Sequence, residues 1–294
     1  MYKYYEKNGY KVMYYRFDSI TEYVDYLINT PIKRDIFKKP ESIFGDYSFC
    51  KTNNFEEAIE LIKYGYHKDF DKFIELKMDL EKYIKYSNKI NRQYNYYAGY
   101  VPDVKAYLEG NPLSMLNKSN NIKKKVDIYF NSAVRSNISS DAIFNRGAIV
   151  LTLIQVLESR GIDVDFHLFT MSEKGNEIHF ADFIFKKFGE RANPKKLFFP
   201  LCHPSWMRRL IFRLREVTPD ISSSWCEGYG YACKLDTIKK IIDLDSSDIV
   251  IPTIQELNIK GEDIIDDANS LFNYINSLGN DDVQLKKVEK IRRI

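Results

Sequence analysis

Arg208, Arg209, Arg213 and Arg215 fall within two helical turns of one another, beside Trp206 and downstream of Lys195 and Lys196. Guanidinium groups next to an aromatic ring are the side chains that grip phosphates and stack on bases, so this segment is the chain's clearest candidate for binding nucleic acid. On an α-helix Arg209 and Arg213 share one face, and Arg208 and Arg215 share another. The same spacing fits a plainer arrangement. Leu210, Ile211 and Leu214 would pack inward while the arginines pair with nearby acids such as Glu216 and Asp220. Charge favours the plainer one: 44 basic against 41 acidic residues leave +3, which by itself does not argue for a polyanionic partner.

Other residue types capable of chemistry lack the company they need. Cys202, His203, Cys226 and Cys233 include metal-ligand types, but zinc sites bring pairs of ligands two to four residues apart, twice over, and these do not. They read as thiols of a core, and no metal or cofactor is assigned to them. A cysteine nucleophile needs a histidine base and an orienting partner. The four histidines are each better explained structurally: His67 follows the helix-ending Gly65-Tyr66, His203 precedes Pro204, and His167 and His179 fall on facing strands as possible cross-strand neighbours. Gly228-Tyr229-Gly230 lacks the GK[ST] ending of a phosphate loop and reads as a turn. Asp163 and Asp165 alternate on one strand face, as an acid pair or, more simply, a solvated edge face. No catalytic residue is named.

The elements that must position these residues are clearest between Val126 and Phe185. VDIYFN is a strand, SAVRSNISSD a polar loop, and AIFNRGAIVLTLIQVLESR a helix apolar nearly all round, capped by Ser140 or Asp141 and ended by Gly161. A right-handed crossover makes IDVDFHLF parallel to VDIYFN, and the short MSEKGN link makes EIHFADFIF antiparallel to its predecessor. The fold class is therefore α/β, with VDIYFN central in a mostly parallel sheet carrying one antiparallel strand. Downstream, Pro204 opens the arginine helix 205–217, DIVIP is a later strand, and EDIIDDANSLFNYINSL a closing helix.

The first third reads as mainly helical. Ser19 with Glu22, and Asn53 with Glu56, are capping-box patterns before EYVDYLI and FEEAIELIKYG. A third amphipathic helix over 69–87 turns Phe73, Leu76, Leu80 and Ile84 inward. Gly99, Pro102, Gly110 and Pro112 punctuate a connector, and the polar run 117–125 is the expected boundary between a region 1–120 and a domain 121–294. A hydrophobic share of 44% with 29% charged residues is ordinary for a globular chain with a real core. The polar, aromatic N-terminus carries no signal pattern, no run spans a membrane, and the four scattered cysteines fit a reducing cytoplasm.

A parallel core with one antiparallel hairpin after the first crossover helix resembles von Willebrand factor A-like domains, as does the Arg146-Gly147-Ala148 wording of the helix. The chain also resembles a family of uncharacterised bacteriophage and prophage proteins, through FDSITEYVDY, FEEAIELIKYGY, GYVPDVKAYLEGNPLSM, RGAIVLTLIQVLESRGIDV and HPSWMRRLIF. In the metal-binding members of the von Willebrand type the first strand ends in Asp-x-Ser-x-Ser. Asn131, Ala133 and Arg135 stand there instead, and they offer too few oxygens for a hard cation. The resemblance therefore implies a metal-independent variant.

Together these readings lead to a non-enzymatic scaffold or adaptor in the cytoplasm of a bacterial host, binding a protein partner without cofactor or membrane. By analogy with related systems that partner could be a AAA+ ATPase. The alternative is a nucleic-acid-binding protein. Lys195, Trp206, Arg208, Arg209 and Arg213 are the candidate partner- or phosphate-binding residues, joined by the Lys123–Lys125 run. A continuous stripe joining Arg208, Arg213 and Lys195 would favour nucleic acid, and an exposed Tyr/Phe patch would favour a protein.

Overall fold

The computed structural model describes residues 1–85, 93–95, 101–117, 125–135, 137–159, 162–186, 189–245, 248–278 and 284–288. The chain begins with strands β1 (Tyr2–Lys7) and β2 (Tyr10–Phe17), then helices α1 (Ile20–Asn29), α2 (Glu41–Phe44), α3 (Tyr47–Cys50), α4 (Phe55–Tyr64) and α5 (Phe70–Glu81). The connector holds short strands β3 (Ile84–Lys85), β4 (Gln93–Asn95), β5 (Val101–Pro102) and β6 (Met115–Asn117), with helix α6 (Val104–Leu108). There follow β7 (Lys125–Asn131), α7 (Ser140–Ser159), β8 (Asp163–Lys174), β9 (Glu177–Phe183) and α8 (Pro194–Cys202). A π-helical segment, Trp206–Ile211, continues directly into α9 (Phe212–Val217). Strand β10 (Tyr231–Ala232), α10 (Leu235–Ile241), β11 (Ile249–Ile251), α11 (Ile264–Ser277) and β12 (Gln284–Leu285) complete the order.

Seven strands form the main sheet in the order β1-β2-β9-β8-β7-β11, with β10 pairing the far end of β8. Strand β7 is interior, parallel to β8 and β11, and β9 is antiparallel to β8, as the sequence pattern predicts. The β8–β9 hairpin turns through Gly175 and Asn176, and Gly175 supplies the positive φ of 62° that a two-residue loop needs. Residues 1–17 differ from a mainly helical reading of the first third. They form a hairpin whose second strand runs parallel to β9, with Val12 beside Ile178. The segment 118–124, where the domain boundary is expected, lies outside the described residues.

Helix α7 is the centre of the core. Residues 142–154, with Val156 and Leu157, are all buried, because it packs between the sheet and α5, α8 and α11. Among the described residues it is the one helix long and apolar enough to span a membrane, and most of it lies inside the fold. Ser139 caps it, its Oγ accepting from the Ala142 N–H at 3.1 Å, in place of Ser140 or Asp141. Its expected terminator, Gly161, is outside the described residues. Gly147 permits a close approach of α7 and α8: a Cβ there would stand 2.2 Å from the Leu201 carbonyl oxygen.

The helical caps of the first third form largely as expected. Ser19 Oγ accepts from Glu22 N–H, and Asn54 accepts from Glu57 N–H, one residue later than the Asn53–Glu56 reading. The sheet has two unlike faces. Tyr15, Phe17, Ile128, Phe130, Val164 and Phe183 belong to the large core, while Val12, Phe169, Met171 and Ile178 meet α10 through Ile238 and Ile241.

Candidate partner-binding surface

The arginine segment is helical from Pro204, but its first part is a π-helix, which widens the turn and alters the α-helical assignment of faces. It is also wrapped on several sides, by α2, α4 and α8. Of residues 206–217 only Arg208 and Arg213 are not fully buried. The candidate residues therefore meet quite different surroundings.

Arg209 is fully buried and makes no ion pair with an acid among the described residues. Its Nη1 donates to the carbonyl oxygens of Ser42 and Ile43, both at 3.2 Å, and its Nη2 to Gly45 at 2.8 Å and Thr52 at 3.1 Å. The end of α2 and the turn after α3 leave carbonyls with no partner inside a helix, and one planar guanidinium collects them. Glu216, a predicted counter-ion, is instead held by Ser42 and Tyr229 Oη, with its carboxyl pushed up by burial. Arg208 is mostly withdrawn, its guanidinium 4.8 Å from the Phe49 ring centre, and burial lowers its pKa. Arg215 donates to Tyr229 O and Ser172 Oγ, both at 2.6 Å, and burial lowers it to about 9.

Trp206 is buried, donating from Nε1 to Ser132 Oγ at 2.9 Å and packing edge-on to Phe183. No base could reach that ring without unfolding the core. Arg213 is the exception, half-buried over Phe55 at 5.0 Å and lining an open groove of ≈ 520 Å³. Lys195 is exposed beside Lys196, Lys63 and Tyr64 in a neighbouring groove of ≈ 590 Å³. Tyr64 thus lines both the groove of Arg213 and that of Lys195, and Arg208 lines neither.

The Arg213 groove is bounded by apolar side chains that remain in solvent. Tyr64 is 78% exposed, Ile28 50% and Ile43 36%, with Phe55 and Ile59 forming the floor. Phe44 and Tyr47, at 65% and 55%, follow Ile43 in the chain. The residues around α2, α3 and the end of α4 therefore carry a concentration of large apolar side chains that no described residue covers. Sequence periodicity hides this, because Ile43, Phe44 and Tyr47 belong to helices of a single turn.

The other sequence candidates resolve into structure. Cys50, Cys202 and Cys233 are buried and Cys226 is exposed, all four as free thiols. Burial pushes the Cys202 and Cys233 thiols well up. The His203 ring lies against Tyr66 and Phe199 and accepts from Ser205 N–H through Nδ1, so it activates no cysteine. His179 is not opposite His167. It pairs with Ser172, and its Nε2 meets Thr218 Oγ1 at 3.1 Å, while His167 pairs with Tyr129. Tyr229 sits at φ 42° between two left-handed glycines, a turn that carries its ring into the core beside Phe212.

The loop after β7 spends its polar groups on the framework. Asn131 Oδ1 accepts from the N–H groups of Ala133 at 3.1 Å and Met171 at 2.9 Å, and Ser132 Oγ donates to Phe169 O at 3.0 Å. Arg146 reaches in from α7, donating to Asn131 O at 2.8 Å over the Phe130 ring. Burial holds that guanidinium down, to about 9. These donors and acceptors, with a cation already among them, do not fit a divalent ion. Among the described residues, the metal-ligand types that converge are Asp127, Asp165 and His167, on β7 and the interior strand β8. Only the Asp163–Asp165 alternation hints at them in the sequence.

No curated protein and no solved structure matches the chain at a significant level. A family profile covers residues 3–279, and the chain belongs to that family, described as a domain of unknown function (DUF7192).

Proposed function

We propose that this protein is a non-enzymatic adaptor that binds a protein partner through the apolar surface around Ile28, Ile43, Tyr47 and Tyr64. The observation that carries this reading is a division of labour. Arg209 and Arg215 are turned into the core, while large aromatic and aliphatic side chains stay in solvent beside an open groove. Concentrations of exposed apolar side chains mark sites of association, and Tyr, Phe and Arg are enriched where proteins meet. Arg213 would offer one half-buried cation at the groove's rim. The order β9-β8-β7-β11 with β9 antiparallel supports a von Willebrand A-like relationship. The committed loop at 131–135 supports metal independence there. By that analogy the partner class is a AAA+ ATPase, and the free cysteines suit a cytoplasmic setting.

The test compares Ile43→Asp and Tyr64→Asp with Lys195→Glu in co-purification from the native cells, with and without nuclease. The adaptor reading requires that the two apolar-to-acid changes lose a partner band that Lys195→Glu retains. Loss with Lys195→Glu alone, or with nuclease alone, would transfer the function to nucleic acid.

A further inference from the structure

Toward the start of β7, on the sheet face turned away from α7, two strands bring two carboxylates and an imidazole within 4.8 Å of one another. The parallel register sets Asp127 beside Asp165 and Tyr129 beside His167. Like charges held side by side on neighbouring strands repel unless a cation bridges them. Lys125 supplies one, its Nζ 3.0 Å from Asp127 and 3.5 Å from Asp165. His167 directs Nε2 at the same oxygens, 3.4 Å from Asp127 Oδ1 and 3.8 Å from Asp165 Oδ2. Its ring is fixed flat on Tyr129, with centroids 4.2 Å apart and planes within 6°. Asp248 immediately precedes β11, whose Ile249 pairs with Ile128 next to Asp127, so a third carboxylate residue adjoins this part of the sheet.

We propose that Asp127, Asp165 and His167 form a binding site for a zinc-class divalent transition-metal ion, whose place the Lys125 ammonium takes when no ion is bound. The donor set argues for the class of metal. Hard cations take oxygen ligands, whereas an imidazole nitrogen with carboxylates suits zinc and its neighbours. Spacing argues for a shared centre. Bonds of about 2.0–2.1 Å in a tetrahedron place ligand atoms roughly 3.3 Å apart, close to the separations His167 keeps from the two carboxylates. A direct N–H···O bond would draw the pair to about 2.9 Å. Access argues that an ion can enter: the three ligand side chains are 20–32% exposed, leaving room for water to complete the coordination. The Lys125 side chain is 45% exposed, so it can swing into solvent. This site is separate from the 131–135 loop and from the groove at Tyr64.

Calorimetric titration of the full chain with zinc chloride tests the site, in a Cys226→Ser background that removes the exposed thiol. One equivalent should bind. His167→Ala and Asp165→Asn should each weaken binding about tenfold or more, and Lys125→Ala should tighten it by removing the competing charge. Cobalt(II) substitution should give the visible absorption of a four-coordinate site, lost in His167→Ala. Circular dichroism confirms that each variant is folded, and Lys125→Ala keeps all three ligands intact. If parent and Lys125→Ala both bind zinc more weakly than about 1 mM, or if His167→Ala binds as the parent does, the site does not exist.

Discussion

Arg209 Nη2 lies 2.8 Å from the carbonyl oxygen of Gly45, and the same guanidinium reaches Ser42, Ile43 and Thr52. A residue whose type suggests phosphate binding is thereby the tie that holds α2 and α3 against the body of the protein. Those two helices carry Ile43, Phe44 and Tyr47, so the arginine that does not touch a partner fixes the surface that would.

Replacing that tie should be costly in a way that replacing its neighbour is not. Arg209→Gln strands several buried carbonyls and should cost about 3 kcal/mol or more. Arg213→Gln, half-buried with one long bond to Leu27 O at 3.4 Å, should cost about 1 kcal/mol or less. Urea denaturation of both variants checks the order. Gln is nearly as good a helix former as Arg, so propensity does not confuse the comparison.

Gly147→Ala should destabilise the protein although alanine is the better helix former by about 1 kcal/mol. The new methyl would meet Leu201 O at 2.2 Å and Cys202 Sγ at 2.8 Å, and the first is backbone that cannot step aside alone. Overpacking of this kind costs about 1–3 kcal/mol. Thermal melts should show a lower Tm; a higher one would mean that α7 and α8 do not approach as closely as described.

His203 sets an acid limit. Burial is the main cause that lowers its pKa from 6.5 to about 4, with Lys68 adding to the effect and Asp69 opposing it. Between those values the unfolded chain binds more protons than the folded one. Its contribution is therefore fully present above about 6.5 and is lost as pH falls toward 4. The loss should reach about 3 kcal/mol at most. His203→Gln, which can still accept from Ser205 N–H, should flatten that part of the stability–pH curve. Equal slopes in parent and variant would contradict the burial of a neutral imidazole.

How far the sequence discloses this arrangement depends on the range of the interactions. Local signals are legible. The apolar run of α7, the short link before β9 and the cap at Ser19 are each contained in a few residues, and the cap of α4 is displaced by only one residue, from Asn53 to Asn54. The first hairpin is equally local and its signal was present. Asn8 and Gly9 are an Asn-Gly turn with φ of 50° and 81°, flanked by strand-forming tyrosines. Its joining of β9 across 165 residues is not local and leaves no mark in either segment. The arginine segment defeats helical bookkeeping for two reasons. A π-helix alters the faces, and the groups that bind Arg209 are backbone carbonyls, which every residue has. The Asp127–Asp165–His167 cluster depends on the register of two strands separated by a twenty-residue helix, so neither strand alone contains it.

Nucleic-acid binding provides a sharp contrast. Fluorescence anisotropy with duplex and single-stranded DNA should show only weak, non-specific association near physiological salt. An affinity tighter than about 1 μM that falls steeply with salt would require several phosphate contacts. The buried Arg209 and Trp206 cannot make them.

Site-specific photocrosslinking at position 64, compared with the exposed position 240 of α10, tests the central claim most directly. With a photoreactive aromatic residue replacing Tyr64 in the native cells, a single protein adduct should form that survives nuclease and high salt and disappears with Ile43→Asp. Position 240 should give no such adduct. A nuclease-sensitive product at position 64, or the same protein adduct at both positions, would contradict the assignment of this surface to a protein partner.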